Sequence, residues 1–107
     1  MLSREVAIEK VKSFTNELLS NGLRLDKVIL FGSYALNKQN DWSDIDVALV
    51  SDFFSGFGYE DRKLFSGINI KKEYIDIETK TYSNKYFEMS DPFIEEIKKT
   101  GIVIFPT

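Results

Sequence analysis

A chain of 107 residues with a formal net charge of −3 and with neither cysteine nor histidine excludes several classes of protein. It cannot be a disulfide scaffold or carry a thiolate or histidine metal site, and histidine-based nucleophilic catalysis is ruled out. The acidic balance also argues against direct nucleic-acid binding by charge. Since 43% of the residues are hydrophobic and 14% aromatic, we expect one globular domain spanning residues 1–107.

The sequence predicts no attachment to a membrane. No apolar run reaches the roughly 18 residues that suggest a membrane-spanning helix, and Met1–Glu5 does not open a signal peptide. A chain without cysteine suits a reducing compartment, so we expect a cytoplasmic protein.

The first predicted element is an amphipathic helix from Ser3 to about Ser20. Ser3 is a suitable N-cap, and Asn21-Gly22 is a suitable stop. Apolar side chains recur at helical spacing: Ala7, Val11, Phe14 and Leu18, broadened by Ile8 and Leu19. This stripe predicts packing against a core.

Two apolar runs follow, and the first one ends in Gly32-Ser33. Val28–Phe31 predicts a buried strand, and Val47–Val50 predicts another after a polar turn. Gly32 can adopt a positive φ and leaves room for a ligand against the backbone. Ser33 can cap a short helix over residues 34–36, whose free N–H groups would attract phosphate.

The second of these runs opens with two aspartates, Asp44 and Asp46. On a strand, this spacing places both carboxylates on one face. At roughly 6 Å apart they repel by about 3 kcal/mol at an effective dielectric constant of about 20, which a fold alone does not need. A divalent cation between them would relieve the repulsion, and Ser43 can hydrogen-bond within the turn and steady Asp44. A phosphate loop beside a metal site suits a magnesium triphosphate.

The middle of the chain predicts a loop and then a weak helix. The loop Asp52–Tyr59 is unusually aromatic, and it could fold onto the core, cover the site or meet a partner. A weak helix should run from Glu60 to about Ile70. Trp42, in the turn before Asp44, is expected to pack on the sheet, with a wall of a base pocket as the alternative.

The alternation of Tyr74–Thr79 predicts a half-buried strand. Its isoleucines, Ile75 and Ile77, should face one side, whereas Asp76 and Glu78 should face the other. A short helix over Ser83–Met89 should follow. Asp91-Pro92 then predicts a further helix that ends at Gly101, and an edge strand over Ile102–Phe105.

Gly32-Ser33, ten further residues and then Asp44-x-Asp46 resembles the GS-x10-D-x-D signature of nucleotidyltransferases of the DNA polymerase beta superfamily. The short chain resembles their minimal, MNT-type branch, whose members are often antitoxins paired with HEPN-domain toxins. Asn37 departs from the glycine common in that pattern, but asparagine also tolerates left-handed geometry.

The order of elements predicts a mixed α/β (α+β) domain with helices on a small mixed sheet, and the resemblance implies the nucleotidyltransferase fold. It also implies transfer of a nucleoside monophosphate, AMP from ATP, to a hydroxyl of a HEPN-domain partner. The implied site has two Mg²⁺ ions on Asp44 and Asp46, with Asp76 as third carboxylate and Glu78 as second choice. Its phosphate-binding residues would be Gly32, Ser33 and Ser43.

Other hypotheses remain open at this point. The chain could be a catalytically idle antitoxin that neutralises a partner by contact, or a subunit whose base pocket lies on another chain. The sequence also leaves room for a homodimer.

Overall fold

A four-stranded mixed sheet lies between helices in the structure, a computed structural model that describes residues 1–107. The elements in chain order are α1 (Arg4–Ser20), β1 (Lys27–Phe31), β2 (Ile45–Val50), α2 (Gly58–Arg62), α3 (Ser66–Asn69), β3 (Ile77–Tyr82), α4 (Asn84–Met89), α5 (Pro92–Thr100) and β4 (Ile102–Phe105). The predicted mixed α/β class is confirmed. No helix is long and apolar enough to span a membrane.

The strand order β3-β2-β1-β4 brings three chain segments to one end of the sheet. Strand β1 is antiparallel to both β2 and β4, whereas β2 and β3 are parallel. Phe31 therefore pairs with Asp46, and Asp46 pairs with Glu78. The end of β1 and the starts of β2 and β3 consequently lie side by side.

Helix α1 forms as its sequence predicts. The Ser3 hydroxyl accepts a hydrogen bond from the Val6 N–H, and the four central residues of the apolar stripe are fully buried. The helix ends where Gly22 takes a φ of +88° and the Leu23 N–H donates to the Leu18 carbonyl. Its apolar stripe covers one face of the sheet, in a core cluster of 17 buried residues.

Helices α4 and α5 cover part of the opposite face. Ser83 caps α4. Asp91, which directly precedes Pro92, caps α5 because its carboxylate accepts a hydrogen bond from the Ile94 N–H. Ile94 and Ile97 of α5 belong to a second buried cluster of only seven residues. Both predicted helices are confirmed, and β4 is an edge strand as predicted.

The helix predicted from Glu60 to Ile70 is wrong as a single element, because it is broken into α2 and α3. At the break, Phe65 has a φ of −142° and its side chain is buried. Its ring lies 6.5 Å from that of Phe14 and 6.2 Å from that of Phe54. Packing of this ring into the core accompanies a backbone conformation that a continuous helix does not allow.

Strand β3 begins at Ile77, three residues later than predicted. The Ile77 N–H donates to the Tyr74 carbonyl, so the preceding residues form a turn. Tyr74 is held there by its hydroxyl, 2.8 Å from the Ser13 hydroxyl, and by its ring, 5.3 Å from that of Phe14. Ile75 is consequently 69% exposed and does not share the buried face of Ile77.

The aromatic loop was predicted over Asp52–Tyr59 but ends at Phe57, because α2 begins at Gly58. It is divided between core and solvent. Phe54 is buried, whereas Phe53 and Phe57 are exposed. The Asp61 carboxylate holds the loop by accepting from the N–H and hydroxyl of Ser55, from the Gly56 N–H and from the Thr81 hydroxyl. Burial alone would raise the pKa of Asp61, but these hydrogen bonds outweigh it and lower the pKa below its usual value.

Candidate active site

Gly32 lies so close to Asp46 that a side chain at position 32 would displace the Asp46 carboxylate. Gly32 has a φ of +74°, and a Cβ built on it would overlap the Oδ2 atom of Asp46. The positive φ expected of this glycine is confirmed, and its second role, leaving space beside a carboxylate, becomes visible in the structure. The missing side chain keeps the Asp46 carboxylate accessible from the end of β1.

The segment after Gly32 is a turn and not the short helix predicted from Ser33. The Leu36 N–H donates to the Gly32 carbonyl, and the Lys38 N–H donates to the Ser33 carbonyl. Asn37 has a φ of +57°, as expected from an asparagine in place of glycine. No backbone carbonyl accepts from the N–H groups at positions 33, 34 and 35.

Asp44, Asp46 and Glu78 interact electrostatically at the start of β2 and β3. Asp44 is exposed just before β2, and Asp46 is partly buried as the second residue of that strand. Burial, then Glu78 and then Asp44 raise the pKa of Asp46 to about 6 from an ordinary value of 3.8. Both neighbours repel the negative charge of Asp46, which makes this carboxylate a favourable partner for a cation.

Asp76 makes a different contact from Glu78. Both of its carboxylate oxygens accept from the Lys10 ammonium of α1, at 3.2 and 3.1 Å. Asp76 precedes β3, whereas Glu78 lies within the strand and opposite Asp46. The two acidic residues thus have different partners, although the sequence pattern predicted one shared face.

The turn before Asp44 is closed by side chains. The Ser43 hydroxyl accepts from the Asn40 N–H at 3.0 Å, as expected for a residue that steadies the turn. The Asn40 side-chain carbonyl accepts from the Trp42 N–H, and the indole of Trp42 is 92% exposed. Packing of Trp42 on the sheet was therefore a wrong prediction, because its backbone is fixed with the ring pointing into solvent.

The residues present fit magnesium in their chemistry, although no group of three or more acidic side chains is arranged to hold a metal ion by itself. Magnesium commonly takes one or two carboxylates and completes its coordination with substrate phosphates and water. Asp44 and Asp46 can supply such carboxylates, and the space left by Gly32 lies directly beside Asp46. The site is therefore suited to a metal ion that arrives with a phosphate ligand.

Two cavities adjoin these carboxylates. The Gly32 cavity, of about 320 Å³, is lined by Gly32, Asp46 and Phe93 among others. The edge cavity, of about 380 Å³, runs along the free side of β3 and is lined by Asp44, Asp76, Glu78 and Arg62. The acidic group is consequently reached from two directions.

Arg62 is a residue that sequence reasoning missed. It lies on α2, is exposed and makes no ion pair, so its guanidinium remains available in a cavity lined by carboxylates. The Thr79 hydroxyl, in the same cavity, is buried without a hydrogen-bond partner. No local pattern in the sequence marks either residue, because Thr79 reaches the cavity through the pairing of β3 and Arg62 through the packing of α2 against β3.

Comparison with known proteins agrees with the geometry. The sequence profile described as a nucleotidyltransferase domain matches residues 8–104. The fold is similar to the crystal structure of a candidate nucleotidyltransferase from Sulfolobus solfataricus, with a TM-score of 0.67 and 18% identity over 94% of this chain and 80% of that one. No curated protein matches the sequence.

Proposed function

The chain belongs to the nucleotidyltransferase domain family, and on that basis we propose that it is a Mg²⁺-dependent enzyme that moves AMP from ATP to a hydroxyl group of a partner protein. The observation that carries this proposal is the close approach of Gly32 to Asp46, whose pKa is raised by burial, by Glu78 and by Asp44. Such a concentration of negative charge destabilises the protein when no cation is bound, and it favours the binding of a cation.

On the donor side, each residue of the proposed site has a distinct task. Asp44 and Asp46 would hold two Mg²⁺ ions, which when bound neutralise phosphate charge and so favour displacement at the α-phosphorus. Ser33 and the free N–H groups beside it would bind the distal phosphates. Ser43 keeps the turn closed so that Asp44 stays at the mouth of the site.

On the acceptor side, the edge cavity offers an entrance for a hydroxyl. The hydroxyl oxygen forms a bond to the α-phosphorus, the bond from that phosphorus to the β-phosphate oxygen breaks, and pyrophosphate leaves. A carboxylate must accept the hydroxyl proton. Asp76 was expected in this role, but Lys10 occupies both of its oxygens. We therefore propose Glu78, opposite Asp46, as the third carboxylate and keep Asp76 as the alternative.

The partner proposed is a HEPN-domain toxin, with a tyrosine as the acceptor, as the resemblance to the minimal MNT-type branch implies. Exposed aromatic side chains at the start of α2 support a protein partner. Phe57 and Tyr59 are each more than 70% exposed, and Tyr59 lines a groove together with Arg62 and Ile75. Aromatic residues of this kind are enriched where proteins bind one another.

A contact-only antitoxin is the second candidate. It is favoured by the lack of a three-carboxylate metal group and by the ion pair that engages Asp76. Under this alternative, the aromatic surface would bind the toxin and the nucleotide site would be idle.

Intact-mass measurement separates the two candidates. The protein is incubated with the product of its neighbouring gene, Mg²⁺ and each nucleoside triphosphate in turn, and both proteins are then weighed. A gain of one or more nucleoside monophosphates on the partner, absent with Asp46→Asn, supports the enzyme. A stable complex without any mass gain supports the contact-only antitoxin.

A further inference from the structure

A cavity larger than the Gly32 cavity and the edge cavity lies between the aromatic loop and α4. It has a volume of about 670 Å³, within the range of roughly 300–1,000 Å³ that is usual for small-molecule sites. We name it the Tyr86 cavity, and its lining includes Phe57, Lys80, Tyr82, Tyr86, Met89 and Phe93.

Tyr86 is held in a fixed orientation within this cavity. Its ring is stacked on that of Tyr82, with centroids 6.1 Å apart and planes 7° from parallel. Its hydroxyl donates to the Asp91 carboxylate at 3.2 Å, and its backbone N–H donates to the Ser83 hydroxyl. The side chain nevertheless remains 50% exposed. A ring that is both fixed and accessible is suited to stack against another flat ring.

The Tyr86 cavity lies on the same face of the sheet as Asp46 and Glu78. Glu78, Lys80 and Tyr82 are alternate residues of β3 and so share one face of the sheet, each about 7 Å from the next. Phe93 lines both the Tyr86 cavity and the Gly32 cavity, so the two spaces meet at this ring. A ligand can therefore extend from Asp46, past Lys80, to Tyr86.

Lys80 lines the Tyr86 cavity and lies beside Phe93, the ring that forms the junction of the two cavities. Its ammonium lies 5.3 Å from the centre of the Phe93 ring and makes no ion pair with any carboxylate. An ammonium between an acidic site and an aromatic cavity can bind a phosphate group by its positive charge. The order of groups along β3 is thus acid, base and aromatic ring.

We propose that the Tyr86 cavity binds the nucleoside part of a nucleoside triphosphate whose phosphates lie at Gly32 and Asp46. The base stacks on Tyr86, Phe57 supplies a second exposed ring, and Lys80 binds the phosphate next to the ribose. This inference rests on the proposed function for the position of the phosphates. It adds the subsite that distinguishes a nucleotide from a simple polyphosphate.

Calorimetric titration of the full chain tests the subsite with two kinds of probe, each nucleoside triphosphate and inorganic tripolyphosphate, both with Mg²⁺. Tyr86→Ala should weaken the best-binding nucleotide by about tenfold, the effect of losing one stacked base. Tripolyphosphate affinity should change by less than about twofold, since no base is involved. Tyr86→Phe keeps the ring and should retain most of the nucleotide affinity.

Two lysine variants, one inside the cavity and one outside it, test the role of Lys80. Lys80→Ala should weaken binding of both the nucleoside triphosphate and the nucleoside monophosphate. Lys98→Ala removes a lysine that also lies over an aromatic ring, Phe87, but outside the cavity, and it should change neither affinity. Phe57→Ala, at a side chain that is 72% exposed, gives a second stacking variant that does not disturb the core.

The outcomes separate this inference from the proposed function. Unchanged nucleotide affinity in both Tyr86→Ala and Phe57→Ala would overturn the subsite, even if AMP transfer to a partner were observed. Loss of nucleotide affinity in these variants supports the subsite, even if no transfer were observed with any acceptor. A wild-type protein that binds tripolyphosphate as tightly as every nucleoside triphosphate would also overturn the subsite.

Discussion

The two faces of the sheet are built from the same strands but have opposite chemistry. On the α1 face, Ile45, Val47 and Leu49 of β2 join the 17-residue core. On the α4–α5 face, the alternate residues of the same strand are Asp46, Ala48 and Val50, and only the last two belong to the seven-residue cluster. A strand with period-two alternation can therefore supply a stable core on one side and a polar site on the other.

The two faces contribute differently to the stability of the folded protein. The α1 face buries large apolar side chains in the larger of the two clusters. The opposite face holds a carboxylate whose pKa is raised to about 6 by burial and like charges, which destabilises the folded protein at neutral pH. Substitutions on the α1 face should therefore change stability, whereas those at the site should chiefly change ligand affinity.

Phe14→Ala should have the largest effect on the free energy of unfolding, a decrease of about 3–5 kcal/mol, because it leaves a cavity in the α1 core. Urea denaturation measures this decrease. The folded variant should still bind Mg²⁺-ATP within about twofold of the wild-type affinity. Loss of ATP binding at temperatures where the variant is folded would contradict the assignment of stability to the α1 face and of ligand binding to the opposite face.

Gly32→Ala should decrease the free energy of unfolding by about 2 kcal/mol and abolish Mg²⁺-ATP binding. The alanine is strained at a φ of +74°, and its Cβ overlaps Asp46 Oδ2. Gly22→Ala is the matched control, because Gly22 also has a positive φ but no atom within 4 Å of the added Cβ. If Gly22→Ala reduced ATP binding as much, backbone strain and not contact with Asp46 would explain the loss.

Asp46→Asn should stabilise the apo protein by about 1 kcal/mol at pH 8, a modest gain because solvent screens the partly exposed carboxylate. The folded pKa of about 6 exceeds the ordinary 3.8, so the folded state binds the proton more tightly. The carboxylate becomes destabilising as pH rises from about 4 to above 6, and the gain should vanish at pH 4.

Urea unfolding of the wild type and Asp46→Asn at pH 4, 6 and 8 measures this dependence. Saturating Mg²⁺-ATP, at about 100 times its Kd, should stabilise the wild type by roughly 2.7 kcal/mol and the variant not at all. Equal stabilisation of both proteins by Mg²⁺-ATP would remove Asp46 from the metal site.

The pair Asp76→Asn and Glu78→Gln should have the smallest effects on stability. Asp76→Asn removes a partly exposed ion pair with Lys10, worth about 0.5 kcal/mol, and this loss should shrink at high salt. Glu78→Gln should stop transfer to the partner, whereas Asp76→Asn should only slow it. The reverse result in the intact-mass assay would return the role of third carboxylate to Asp76.

Much of the fold could be predicted from local signals in the sequence. Ser3, Ser83 and Asp91-Pro92 mark helix starts because capping groups act within one turn of the chain. Gly32 and Asp46 could be singled out together because the family signature spans both, and Asn37 could be assigned left-handed geometry from its residue type. These features depend on neighbours in sequence or on a recognised motif.

Other features depend on contacts between distant segments. Alternation over Tyr74–Thr79 could not reveal that a hydroxyl contact to Ser13 keeps Tyr74 in a turn and delays β3. It could not reveal either that Lys10 of α1 engages Asp76 while Glu78 lies beside Asp46. Helical periodicity likewise missed the break at Phe65, which follows from packing against Phe14 and Phe54.

Residue types and their spacing thus predicted the class of fold and the helix boundaries near caps, and they singled out the acidic and glycine residues of the candidate site. The start of β3, the partner of each carboxylate, and the presence of Arg62 and Lys80 in cavities beside them followed from the folded chain alone. The physical reason is the separation along the chain over which each kind of interaction acts. Capping and backbone preference act over a few residues, whereas strand pairing and ion pairs join groups as far apart as Lys10 and Asp76.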